Sequence, residues 1–117
     1  MMVDMFRSEE CYKTACKPRN WEPMTKEEIN KELRRYALST GKNDDYFEYE
    51  GFDAFPGQNC IEFKPQVSDK ESLVFSYDAI KGVYFYHMVG RERPCCLRIY
   101  TVYGVFEIVL EDWDGQA

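Results

Sequence analysis

Ten residues near the middle of the chain hold its densest chemistry. Asp44-Asp45-Tyr46-Phe47-Glu48-Tyr49-Glu50-Gly51-Phe52-Asp53 contains five carboxylates and no basic residue. If this stretch is extended, side chains alternate, so Asp44, Glu48 and Glu50 share one face and Phe47 and Tyr49 the other. Carboxylates two residues apart on a strand lie about 6–7 Å from each other, close to the spacing of adjacent phosphates on a nucleic-acid strand. Such a row can occupy a cationic groove meant for DNA or RNA, and it steers the chain towards a basic protein. The competing reading is a solvated edge strand that uses charge to block aggregation. Glu107, Glu111, Asp112 and Asp114, with Trp113, would extend the same surface.

Other chemistries find less to work with. No Asp-x-Asp-x-Asp-Gly loop with a distal Glu is present, so an EF-hand calcium site is not expected. No feature selects one carboxylate pair for hydrolysis. On a helix, Cys11 and Cys16 stand about 140° apart around the axis, poorly placed to share a metal. Cys95 and Cys96 are adjacent and would point to opposite faces of a strand. No Cys-x-x-Cys occurs, and the cysteines read as small buried hydrophobes. His87 is the only histidine. It follows Val83 and Phe85 on one strand face and reads as structural; a His87–cysteine nucleophile pair lacks an orienting partner. Arg91 and Arg93, with Lys81 and Arg98, are the basic residues of a loop region that could take a carboxylate or phosphate, or simply be a soluble tip. Phosphate-cradling glycine loops and dinucleotide fingerprints are absent. The sequence therefore calls for no cofactor, no metal and no enzyme.

Aromatic residues add a second surface. Tyr84, Tyr86 and Met88 lie opposite Phe85 in strand alternation. With Tyr100 they would form an exposed patch if only one face of the sheet were covered.

Charge and aromatics are split unevenly along the chain. Residues 1–43 carry nine Lys/Arg and seven Asp/Glu, a net of +2, whereas residues 44–117 carry six and fourteen, a net of −8. The second part also holds fifteen of the nineteen aromatics. A pI near 4.8 argues against binding nucleic acid or anionic membranes directly and permits binding to basic proteins. No apolar run in Met1–Glu9 suits a signal peptide, and charges interrupt every candidate membrane span. Five cysteines without a framework suit a reducing compartment, so a cytoplasmic protein is expected.

The 117 residues point to a single domain, 1–117. Residues 1–43 form a helical segment and 44–117 an antiparallel sheet. Ser8-Glu9-Glu10 starts a short helix through Cys16, which Pro18 ends. Thr25 and Glu28 form a capping box, and Ile29, Leu33, Tyr36 and Ala37 recur at helical spacing, which predicts a helix over 25–39 stopped by Gly41. After Gly41 the period falls to two. Strands are expected over Tyr46–Glu50, Cys60–Lys64, Ser72–Tyr77, Gly82–Met88, Cys96–Thr101 and Val105–Leu110. Phe55-Pro56-Gly57-Gln58 signals a type II turn and Val102-Tyr103-Gly104 a tight hairpin. The expected fold is α+β: two N-terminal helices packed on one face of an antiparallel β-meander of about five to six strands. Ile80, Val83, Ile99, Thr101 and Gly104 give Leu73–Leu110 a loose resemblance to the strand order of bacterial pleckstrin-homology-like domains, whose C-terminal helix has no counterpart here.

The function expected from this pattern is a small intracellular binding or inhibitor-type module. It would engage a basic partner, itself a nucleic-acid-binding protein in one version, through Asp44, Asp45, Tyr46, Glu48, Glu50, Asp53, Tyr84 and Tyr86. A phage- or mobile-element-type mimic of nucleic acid is one form of this, by analogy of size. The alternatives are a homo-oligomeric module paired through the aromatic sheet face, and a small enzyme using His87 and a thiol.

Overall fold

A computed structural model describes residues 2–6, 23–67 and 71–110, with the backbone alone for Met2–Phe6. Among the described residues, nine strands form two antiparallel sheets. The first sheet contains β2 (Ser39–Thr40), β3 (Phe47–Tyr49), β4 (Phe52–Pro56), β5 (Cys60–Pro65) and β6 (Leu73–Ser76), in that order. The second contains β1 (Met2–Phe6), β9 (Gly104–Val109), β8 (Cys96–Thr101) and β7 (Ile80–Tyr86), in that order. One described helix, α1 (Lys26–Arg35), precedes them all except β1.

The two sheets bury each other. Phe47, Tyr49, Phe52, Ala54, Ile61, Phe63 and Phe75 from one sheet share a single core with Val83, Phe85, Leu97, Ile99 and Ile108 from the other. Rings meet across the gap: Tyr49 lies 5.7 Å from Phe85, and Phe75 sits edge-on to Phe106 at 4.9 Å between centroids. Each large apolar side chain buried this way contributes about 1.5–3 kcal/mol.

This architecture corrects the expected α+β meander. Instead of two helices covering one face of a single five- to six-stranded sheet, the second sheet covers the first, and one described helix packs beside β7. The expected helix from Ser8 to Cys16 lies outside the described residues. The difference arises at the 3-10 turn Tyr77–Ala79, where the chain passes from β6 at the end of one sheet to β7 at the end of the other instead of pairing the two strands, and Met2–Phe6 then joins the second sheet, Met2 opposite Val109 and Phe6 opposite Val105. Contact at that sequence separation leaves no local signal. The segment 1–43 is thus not wholly helical, since it contributes β1 and β2.

The capping box forms as its spacing requires. Glu28 N donates to Thr25 Oγ1 at 3.1 Å, and Thr25 N donates to Glu28 Oε1 at 2.8 Å. Ile29 and Leu33 enter the core. The helix ends at Tyr36 rather than running to 39, because Leu38 N donates to Glu48 O at 2.7 Å and Ser39–Thr40 joins β3. Sheet pairing here overrides helical propensity. Before the helix, Met24 N donates to Lys81 O at 2.8 Å and ties α1 to β7. A Cβ at Gly82 would lie 2.7 Å from the Tyr84 ring and 3.2 Å from Met24 Sδ, so this approach depends on glycine.

Two turns set the register of the strands that matter below. Glu50-Gly51 is a two-residue hairpin loop between Tyr49 and Phe52, with Gly51 at φ 89°. Val102-Tyr103 closes the β8–β9 hairpin, where Thr101 Oγ1 donates to Gly104 O at 2.9 Å. The β4–β5 turn differs from the expected type II turn: Gly57 N donates to Cys60 O at 2.8 Å, and positive φ among described glycines occurs at Gly51, Gly90 and Gly104 instead.

Candidate functional site

The alternation in β3 places Phe47 and Tyr49 inward and Glu48 outward. The hairpin at Gly51 then sets Asp53 directly opposite Glu48, and β5 sets Lys64 opposite Asp53. The next row on the same face is Phe55, Glu62 and Val74. Tyr46 lies beside it, its ring 6.1 Å from that of Phe55. The outer face of the five-stranded sheet thus presents three carboxylates, one ammonium group, two aromatics and an exposed valine.

The acidic run 44–53 does not stand as one row. Asp44 sits in a 3-10 turn at φ 56° and pairs with Arg34, Nη2 to Oδ2, at 2.9 Å. Glu50 lies in the hairpin loop and pairs with Arg93. Glu48 accepts a hydrogen bond from Ser39 Oγ at 2.6 Å, and Asp53 accepts one from Gln66 Nε2 at 3.1 Å. Asp45 and Tyr46 are exposed next to the 3-10 turn. The structure therefore brings Glu48 and Asp53 together, adds Glu62 from β5, and separates Asp44 and Glu50 by pairing each with an arginine. Asp44 and Glu50 leave the row because a 3-10 turn and a hairpin loop break the strand on either side of Phe47–Tyr49.

Tyr84 and Tyr86 occupy a different surface, the outer face of the four-stranded sheet. Register puts Tyr84, Arg98 and Glu107 in one row and Tyr86 and Cys96 in the next. Tyr100 is fully buried here, while Tyr84 and Tyr86 are half-buried, so the four expected members with Met88 do not form one exposed patch. Arg98 Nε donates to Glu107 Oε2 at 2.7 Å, and its guanidinium lies 4.3 Å from the Tyr86 ring centroid. Tyr86 and Tyr100 hydroxyls share a 2.7 Å hydrogen bond. Burial pushes the Tyr84 phenol above its ordinary range, and Glu32, Tyr100 and Glu28 add to this.

The remaining chemical residues are dispersed. His87 is exposed and its Nε2 lies 3.0 Å from Tyr36 Oη, with the rings 5.1 Å apart. Arg93 and Arg98 are each committed to a carboxylate, so no basic cluster forms with Arg91 and Lys81. Cys60 is exposed, Cys95 half-buried and Cys96 buried, all as thiols. Burial raises the Cys96 thiol well above its ordinary range, and Glu107 and Cys95 push the same way; this thiol is poorly suited to nucleophilic attack. Among the described residues, no group of three or more His, Cys, Asp or Glu could hold a metal ion. No helix among them is long and apolar enough to cross a membrane.

Phe55, Glu62 and Val74 were absent from the sequence-based site. Their signal was the alternation in 52–56 and 60–65 combined with a two-residue loop at Glu50-Gly51, which together fix which side chains line up across strands.

Comparison of the chain with protein-family models, with curated proteins and with solved structures finds no match. The resemblance of Leu73–Leu110 to pleckstrin-homology-like domains gains no support from it.

Proposed function

We propose that the chain is a binding module that engages a basic protein through the outer face of its five-stranded sheet. The observation that carries this reading is the Glu48–Asp53 pair. Directly opposed residues on neighbouring strands bring Cβ atoms within about 4.5–5.5 Å, and like charges there oppose folding. Lys64 offsets one side of Asp53 only. With Glu62 added, three carboxylates against one ammonium leave this face at a formal −2. Phe55, Tyr46 and Val74 lie beside the charges and supply apolar contact area, the combination of steering charge and aromatic anchor that protein interfaces use.

Asp44 and Glu50 take no part in this reading, because Arg34 and Arg93 already neutralise them. A phosphate-like row along one strand is thereby shortened, and the basic partner is defined by its surface charge rather than by a nucleic-acid groove.

The test is capture of interacting proteins from cells that carry the chain, using the native protein and a Glu48→Lys, Asp53→Lys, Glu62→Lys variant. A shared set of basic proteins should bind the native chain at low salt, fall away as salt rises, and be lost from the variant. Glu92→Lys, a comparable reversal at an exposed loop position, should leave capture intact. Equal capture by the triple variant, or capture indifferent to salt, would remove the proposal.

A further inference from the structure

β6 ends the five-stranded sheet, so its outer edge pairs with no described strand. Beside that edge runs a groove of about 360 Å³, lined by β6 itself and by Ala79, Tyr103 and Phe106. Its apolar floor includes the Phe75–Phe106 ring pair. Its rim is apolar and wet: Val74 is 59% exposed and Tyr103 66% exposed. In an edge strand, alternate residues turn their N–H and C=O groups away from the sheet. An edge of this kind next to an apolar groove has the two parts that strand addition needs. Backbone groups provide the hydrogen bonds, and the groove receives every second side chain of the incoming segment.

Charge selects the occupant. Glu71 precedes β6 and Asp78 follows it, and both are exposed. A second copy of β6, pairing antiparallel about the midpoint between Val74 and Phe75, would bring Glu71 of each copy towards Asp78 of the other. Both ends of such a pair would then oppose like charges. An incoming strand with Lys or Arg at its two ends meets opposite charge at both. We infer that the outer edge of β6 is the docking site for an extended segment of another protein, apolar at alternate positions and flanked by Lys or Arg. The inference does not rest on the outer-face reading: the carboxylates of that face lie on β3, β4 and β5, and β6 contributes only Val74 and Ser76 to it.

A random-peptide library displayed against the full chain tests this, with the selected peptides then synthesised. The expected peptides have alternating apolar residues between basic ends. They should slow amide hydrogen exchange at residues 72–76, and lose about tenfold or more in affinity on combined Glu71→Lys and Asp78→Lys, and again on Tyr103→Ala. These side chains are exposed, so the fold should survive all three changes. Glu48→Lys with Asp53→Lys should leave peptide affinity unchanged, which separates the edge from the outer face. The inference is overturned if no peptide is selected, if selected peptides lack basic ends, if protection maps away from β6, or if the chain alone self-associates through β6.

Discussion

The outer faces of the two sheets have opposite fates. On the five-stranded sheet, Glu48 and Asp53 face each other beside Glu62, Phe55 and an exposed Val74. On the four-stranded sheet, Arg98 is paired with Glu107 and lies over Tyr86, and Tyr100 beside them is fully buried. Charge is paired on one face and left in imbalance on the other, although Glu48, Asp53 and Glu62 are partly exposed to the same degree as Arg98 and Glu107. An unmatched charge costs more as it loses water, so an imbalance on a partly buried face works against folding. A face that keeps such an imbalance is therefore the better candidate for contact with another molecule.

The difference can be broken by substitution. Arg98→Ala should have the largest effect. It leaves Glu107 half-buried without its ion pair, at a cost of about 2–4 kcal/mol, read as a lower midpoint in urea unfolding. A loss no greater than that of an outer-face charge on the five-stranded sheet would erase the distinction.

Tyr49 tests the core that both sheets share. Its hydroxyl donates to Leu33 O, linking β3 to α1, and its ring stacks on Phe52. Tyr49→Phe strands a buried carbonyl and should cost about 1–3 kcal/mol. Burial, with a smaller push from Glu32, raises the Tyr49 phenol well above its ordinary value near 10. The folded state then keeps a proton that the unfolded chain releases. The contribution of Tyr49 is complete below about pH 10 and declines as pH rises above it, at up to about 1.4 kcal/mol per pH unit. Urea titrations from pH 8 to 11 should show this decline, less steep in Tyr49→Phe.

Tyr100→Phe should be milder, about 1 kcal/mol, because it removes the hydroxyl bonded to Tyr86 and keeps the ring. Smallest of all, Asp53→Asn should shift stability by less than about 0.5 kcal/mol, with the relief of Glu48 offsetting the loss of Lys64. The same variant should nonetheless weaken capture of a basic partner at low salt. A stability loss comparable to that of Tyr100→Phe would mean that the five-stranded outer face serves folding instead.

Much of the local structure was readable from residue order. The capping box of Thr25 and Glu28, the inward Ile61 and Phe63, and the Cys96–Thr101 and Gly104–Val109 hairpin follow from short-range patterns. The end of α1 departs from the Gly41 stop that residue order predicts, because the pull of β3 on Leu38 and Ser39 acts through space. The acidic run was visible, but its division was not: Asp44 and Glu50 are neutralised by Arg34 and Arg93, the latter 43 positions away. Tyr100 looked like a surface residue by alternation and is fully buried, since alternation states which side of a strand a residue faces and not whether that side is covered.

Sequence by itself determined where α1 starts, where most of the strands lie and which of their side chains alternate, because those preferences are set by neighbours within a few residues. Tertiary structure alone decided that the strands divide into two sheets facing each other, and which carboxylates line up across strands or meet an arginine. Those outcomes depend on partners such as Met2 with Val109 and Glu50 with Arg93, whose meeting is decided by the burial of the whole chain.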